Sequence, residues 1–193
     1  MDQFTLFLKL GFEHIADVKG YDHILFIVAL CAIYTIKDWK GILWMVTAFT
    51  VGHSVTLVMA TFELIYIKQD IVEMLIPITI FLTCVFNIVI HRPDSNFKNT
   101  AKIKYTTAAV FGLIHGLGFS SYLRSILAMQ DSVVLELFAF NVGLELGQIL
   151  IVFITLGLAF ITVDLLKAKK REWNLVLSGA AAGVSFLMIF GLI

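Results

Sequence analysis

The sequence is poor in charge. Of its 193 residues only 15 % are Asp, Glu, Lys or Arg, against 60 % apolar, and the mean hydropathy is +0.95. A soluble domain carries charge on nearer a quarter of its residues, so this chain lacks the polar cover that a water-soluble fold of its length needs. Acids and bases are balanced, giving a formal net charge of zero, and no overall field is left to attract nucleic acid. Cysteine is scarce as well. Cys31 and Cys84 both fall inside apolar runs, which argues against a disulfide framework and for thiols acting as small hydrophobes. The start, Met1-Asp2-Gln3, has no basic region, and Lys9 interrupts the apolar stretch that follows, so it does not read as a signal peptide. Linkers and low-complexity segments are missing too, which leaves one domain over residues 1–193.

What the chain does have is long apolar runs, and about 20 such residues cross a bilayer. The expectation is an all-α membrane protein: a bundle of six transmembrane helices at about 21–36, 41–64, 71–91, 105–127, 133–165 and 174–193. The fifth is too long for a straight crossing and is expected to start outside the hydrocarbon or to bend near Gly143 or Gly147. Ahead of them, Thr5, Lys9, Glu13 and Asp17 recur every fourth residue among Phe4, Leu6, Phe7, Leu8 and Leu10. That spacing predicts an amphipathic helix over 1–20, lying on the membrane surface or dipping into it. The segments after spans one, three and five hold ten Lys and Arg residues, the opposite side four. By the positive-inside rule both termini face away from the cytoplasm, across an inner membrane. Glu13, Asp17, Asp22, Glu63, Asp70, Glu73, Asp131 and Glu136 then gather near the outer face. Together they make a favourable potential for a cation arriving there, although each alone reads as a solvated loop charge. The pairs Gly112/Gly116, Gly143/Gly147 and Gly179/Gly183 have the spacing that lets helix backbones approach.

Four polar constellations interrupt the apolar runs. The first is His14-Ile-Ala-Asp17-Val-Lys-Gly20-Tyr21-Asp22-His23, leading into the first span. In the second span Thr50, His53 and Ser54 share a face, at i, i+3 and i+4. In the fourth span His115 stands among small residues, Gly112, Gly116 and Gly118. In the fifth, Asn141, Glu145 and Gln148 form a stripe at i, i+4 and i+7. With a rise of 1.5 Å per residue, His53 lies about 18 Å from Gly41, His115 about 15 Å from Tyr105 and Glu145 about 18 Å from Val133, all near mid-membrane. Each ionisable group at that depth costs several kcal/mol unless paired or hydrated, and placing them together lowers the cost of each. A lone intramembrane His also serves simply to hydrogen-bond a neighbouring helix, and Glu145 and His115 have the option of pairing as a packing device. His91, beside Arg92 and Pro93, reads as snorkelling to the inner interface. Glu136 reads as an outer-interface residue, so that Glu145→Gln is expected to disturb a metal site more than Glu136→Gln. His, Asp and Glu together suit divalent first-row metals such as nickel, zinc or cobalt.

Taken in order, the segments resemble the HupE/UreJ family of membrane proteins. The matching pieces are His14…Gly20-Tyr21-Asp22-His23, Phe49-Thr50-x-Gly52-His53-Ser54-x-Thr56-Leu57, Phe111-Gly112-x-x-His115-Gly116-x-Gly118-Phe119, and Asn141-x-Gly143-x-Glu145-x-Gly147-Gln148. They cover nearly the whole chain. The resemblance implies a secondary nickel or cobalt permease, in which His14, Asp22 and His23 match the family's first-helix motif and His115 its later His-Gly motif. This chain departs from the better-known nickel members. It has two more residues between His14 and the Gly-x-Asp-His core, one His in the later motif where they carry a second His and a Glu, and no usual signal peptide.

Two readings follow. In the first the protein is a metal permease. Asp22 and His23 receive the cation at the outer mouth, with His14 beside them, and His53, His115 and Glu145 bind it at the midplane. Asp17, Ser54, Asn141 and Gln148 then orient those ligands. In the second the same residues hold zinc in an intramembrane hydrolase acting on a lipid or amide, where Glu145 or Asp22 serves as general base. The partners expected are membrane lipid and a metal ion, with a homo-oligomer left open.

Overall fold

The computed structural model describes residues 2–89, 97–127 and 133–193, all helix and connecting turns with no strand among them. The helices are α1 (Gln3–Ala16), α2 (Asp22–Cys31), α3 (Trp39–Thr61), α4 (Gln69–Val89), α5 (Phe97–Gly118), α6 (Ser120–Leu127), α7 (Val133–Ala159) and α8 (Lys170–Ile189). Four apolar segments are long enough to cross a membrane: Ile36–Thr61, Gln69–Val89, Val133–Leu165 and Lys170–Ile189.

Local chemistry sets the breaks between helices. Asp2 caps α1, its Oδ1 accepting from the Thr5 backbone N at 2.8 Å. The helix ends where Asp17 turns extended and its carboxylate accepts from the Lys19 backbone N at 2.8 Å, a turn that competes with further helix. A turn of 3₁₀ helix at Ile36–Asp38 leads into α3, pinned where Asp38 Oδ2 accepts from the Thr35 backbone N at 3.0 Å and its hydroxyl at 3.1 Å. Beyond α3, Glu63 takes a left-handed φ of 58°. Pro77 sits inside α4 and cannot donate to the carbonyl of Glu73, one turn earlier.

These breaks differ from the expected spans in three places. The first span, 21–36, contains only the 10-residue α2, about 15 Å of helix and half a bilayer. The fourth, 105–127, breaks at Phe119 into α5 and the short α6. The fifth is continuous α-helix through Gly143 and Gly147, and Phe160–Leu165 at its end winds as a π-helix. His91, Arg92, Pro93 and Asp131 lie outside the described residues.

Side-chain pairings fix the helix directions. Asn87 on α4 donates to the Ala29 carbonyl on α2 at 2.7 Å, and Asp22 and His23 border the same cleft as Gln69 and Glu73 of α4, so α2 and α4 run the same way. Asn174 on α8 donates to the Asn87 carbonyl at 2.7 Å, while Phe186 meets Phe81, so α8 runs against α4. Ser54 with Asn141 and Thr47 with Glu145 make α3 and α7 antiparallel.

Two parallel helix pairs form the heart of the bundle, and glycine makes both. A Cβ on Gly52 of α3 would strike the Ala109 carbonyl of α5, and one on Gly112 of α5 the Phe49 carbonyl of α3. A Cβ on Gly11 of α1 would likewise strike the Phe140 carbonyl of α7, and one on Gly143 the Leu8 carbonyl of α1. The correspondence holds residue by residue. Positions 8, 11, 12 and 15 meet 140, 143, 144 and 147 as 49, 52, 53 and 56 meet 109, 112, 113 and 116. Gly143 and Gly147 therefore serve to receive the neighbouring helix α1. α1 lies along α7 with Phe7 and Ile15 fully buried, while Thr5, Lys9 and Glu13 face outward, Lys9 and Glu13 as an ion pair at 3.5 Å. Gly179 and Gly183 do not pack as their spacing suggested: nothing lies within 4 Å of a Cβ at either position.

Candidate metal centre

α1 and α2 run in the same direction and are separated by a five-residue break, and the first polar constellation occupies that break. His14 stands at the end of α1, where carbonyls lacking helical partners favour a cation. Asp22 opens α2 at the end where a carboxylate is favoured, followed by His23. α3 brings His53 and α5 brings His115 to the same place.

The imidazoles converge. Ring centroids lie 4.6 Å apart for His14 and His23, 5.9 Å for His14 and His53, 6.1 Å for His23 and His53, and 5.3 Å for His23 and His115. One nitrogen from each of His14, His23 and His53 falls within 4.8 Å of the other two, so that a small inward shift of the rings would let the three hold one metal ion. His53 and His115 are fully buried. Asp22 Oδ1 lies 3.1 Å from His23 Nδ1, and the His115 Nδ1 lies 2.8 Å from the Phe111 carbonyl. Those contacts fix the rings and leave Nε2 of His23 and His115 turned inward. The remaining nitrogens, Nε2 of His14, His23 and His115 and both of His53, are buried without a hydrogen-bond partner. Buried polar atoms are ordinarily satisfied; five orphaned nitrogens in one place have the chemistry of a metal-ligand set.

A cleft of about 180 Å³ leads to His14, His23 and His115, past Asp17, Asp22 and Glu73. On the far side His115 rests on Phe26 and Phe49, with centroids 5.2 and 5.1 Å away. Asp17 stays at the exposed edge, held in its turn by Lys19.

Glu145 goes elsewhere. Its carboxylate accepts from Thr47 at 2.7 Å and from Thr50, in a polar seam between α3 and α7. Thr50 also meets Gln148 Oε1 at 2.8 Å, and Ser54 meets Asn141 Oδ1 at 2.5 Å. The stripe read from α7 is therefore real, but it points at the hydroxyls of α3: Glu145 and Gln148 meet Thr50, and Asn141 meets Ser54, rather than the imidazoles. The sequence reading of Glu136 also needs correction. Glu136 is 1 % exposed, with no hydrogen-bond partner for either carboxylate oxygen, so it is no solvated interface charge. It lies four residues before Phe140, near the start of α7, where position along the span alone suggests an interface.

Aromatic residues of the site were missed as well. The Phe119 ring is 3.9 Å from His14 and stacks on Phe140 at 5.3 Å, while Phe140 lies 5.8 Å from His14. Nothing in the spacing of apolar residues separates a phenylalanine that walls a site from one that faces lipid. Gln69, whose amide donates to the Gly118 carbonyl at 3.0 Å, ties α4 to α5 at the cleft.

No curated protein and no solved structure gives a match to this chain. The family described as HupE / UreJ protein matches over residues 1–192. That match spans α1 and α2, both glycine-packed helix pairs and all four imidazoles, and the chain belongs to the HupE/UreJ family.

Proposed function

We propose that this protein is a permease for a divalent transition metal ion, nickel or one of similar chemistry, which it binds at His14, His23 and His53 with Asp22 and His115 completing the site. The observation that carries the reading is the set of orphaned imidazole nitrogens, three of them able to meet within 4.8 Å. Neutral imidazole suits nickel, zinc and cobalt alike, and an isolated cluster of this kind inside a membrane is costly unless it serves a ligand.

In this reading α1 and α2 together make one crossing, interrupted at the ion's level. α3, α4, α5, α7 and α8 supply the other five, with both termini on the outer side of the inner membrane. Discontinuous helices whose ends meet near the midplane are a recurrent way to hold an ion in a transporter. Asp22 orients His23 and contributes negative charge, and the cleft past Asp17 and Glu73 is the approach. Glu145 serves the α3–α7 seam. The hydrolase reading draws no support from the family match and is not pursued.

The experiment is metal titration of the purified protein followed by uptake into proteoliposomes. Wild type should bind Ni²⁺ or Zn²⁺ in a one-to-one complex and carry it inward; His53→Ala should do neither while staying folded. Retention of full binding in His53→Ala would sink the assignment.

A further inference from the structure

We propose that a cavity of about 230 Å³ between α2, α3, α4 and α5 is the inner chamber of the ion's path, separated from the histidine centre by the rings of Phe26, Phe49 and Phe111. The inference rests on the metal reading above and adds to it the route by which the ion leaves.

The cleft at the histidines and this cavity are lined by the same helices. On α5, Gly118 and His115 border the cleft, while Phe111, Ala108 and Lys104 border the cavity. Those five positions are three or four residues apart, so they form one stripe on one face. α4 repeats the pattern. Gln69, Glu73 and Ile76 border the cleft and Thr83 and Asn87 the cavity, with the fully buried Ile80 between them at the same spacing. On α2 the series is His23, Phe26, Leu30 and Tyr34, and on α3 it is His53, Phe49 and Met45. Four helices thus turn one face each toward a common axis. Along that axis come the imidazoles, then the aromatic rings, then the cavity.

The partition is thin. Phe111 lines the cavity one helical turn below His115, and its ring is 5.9 Å from Phe26, which rests on His115 at 5.2 Å. Beyond it the lining suits an ion in transit. The cavity has room for several waters at about 30 Å³ each. Tyr34 and Met45, hydroxyl and sulfur 3.8 Å apart, and Thr83 are weak ligands for a divalent ion beside imidazole. Weak sites are what an ion needs in order to leave. At the far end the Lys104 ammonium lies over the Tyr34 ring at 5.1 Å, and Asp38 stands near enough to act on that charge and offset the barrier it raises to a cation. Lysine marks the cytoplasmic interface, so the cavity leads from the aromatic layer toward the inner surface.

The test places a thiol in the cavity of the full-length protein, with Cys31→Ala and Cys84→Ala as background. Thr83→Cys should react with a charged, membrane-impermeant thiosulfonate in inside-out vesicles and not in right-side-out ones. Val85→Cys, on the outward face of α4, should react in neither. Modifying the folded Thr83→Cys protein before reconstitution should slow Zn²⁺ uptake at least about tenfold, leave Zn²⁺ affinity within about threefold, and be reversed by dithiothreitol. Reaction with a lipid-soluble maleimide alone would show a pocket filled by an acyl chain, and reaction from the outer face would put the cavity on the wrong side; either overturns the proposal. So does a loss of affinity equal to the loss of uptake, which would show damage to the centre. If wild type carries Zn²⁺ and the modified Thr83→Cys protein carries it as well, only the chamber falls. If wild type carries no Zn²⁺, the permease reading itself falls and takes the chamber with it.

Discussion

The glycine pairing makes a sharp comparison between substitutions that are chemically identical. Gly112→Ala places a methyl group against the Phe49 carbonyl of α3, and Gly143→Ala against the Leu8 carbonyl of α1. The obstacle in each case is backbone, which has no rotamer to escape into, so the helices must move apart. Gly179→Ala meets nothing within 4 Å. All three sites are helical, so the gain of up to about 1 kcal/mol from replacing glycine by a better helix former is common to all and cancels between them. What remains is the overpacking term, about 1–3 kcal/mol. For a chain of this size each kcal/mol moves the melting midpoint by roughly 2–4 °C, so Gly112→Ala and Gly143→Ala should melt about 2–12 °C below Gly179→Ala. The assay is thermal unfolding in detergent followed by size exclusion. Gly112→Ala should also weaken metal binding, because α3 and α5 carry His53 and His115. Equal midpoints for the three proteins would refute the pairing of α3 with α5 and of α1 with α7.

Other consequences are open to measurement. Removing His14 or His23 by substitution with alanine should each lower metal affinity at least tenfold in a Zn²⁺ titration, with the apo protein still folded by circular dichroism. Thr50→Val should cost about 1–3 kcal/mol by stranding the buried acceptors of the α3–α7 seam, yet leave Zn²⁺ affinity within a few-fold, since Thr50 serves Glu145 and not the imidazoles. A cysteine at Lys19 should be labelled from outside intact cells and one at Lys170 only after permeabilisation; the reverse pattern would invert the topology.

The membrane class and most helices were legible because apolar composition and length act on every residue of a span at once. α3, α4, α7 and α8 each fill most of an expected segment. The candidate site was legible in its residue types, since an imidazole inside hydrocarbon needs a reason to be there. Two things were not legible. The break after Ala16 depends on a turn made by Asp17 and Lys19, and period-four polarity over 1–20 gives no sign that α1 will find a glycine-lined groove on α7 and bury Phe7 and Ile15 there. The partner of Glu145 was equally hidden. Depth along a helix gives the level of a side chain but not its azimuth relative to other helices, and at one level Glu145 meets Thr47 and Thr50 while His53 faces the other imidazoles. Glu136 escaped for the opposite reason. Its position near a helix end suggested water, and only packing in three dimensions shows that it is buried.

The two helix pairs also bear on how an ion would leave. An ion held by His14, His23 and His53 has the cleft past Asp17 and Glu73 on one side and the Phe26–Phe49 layer beneath His115 on the other. Phe26 and Phe49 rings lie 4.9 Å apart, with Phe111 beyond at 5.9 Å from Phe26, so inward passage requires that layer to part. Phe49 and Phe111 belong to α3 and α5, locked to each other by Gly52 and Gly112, and those two backbones cannot separate without breaking that contact. Phe26 belongs to α2, which lies outside both pairs but is tied to α4 by Asn87 and touches α1 through His14 and His23. Of the three rings, Phe26 is thus the one whose helix is not locked by a glycine pair, and His23 would travel with it. Shortening the break by deleting Val18 should restrain that motion: uptake into proteoliposomes should fall at least tenfold while Zn²⁺ affinity changes by less than threefold. A deletion that leaves uptake intact would place the moving part elsewhere.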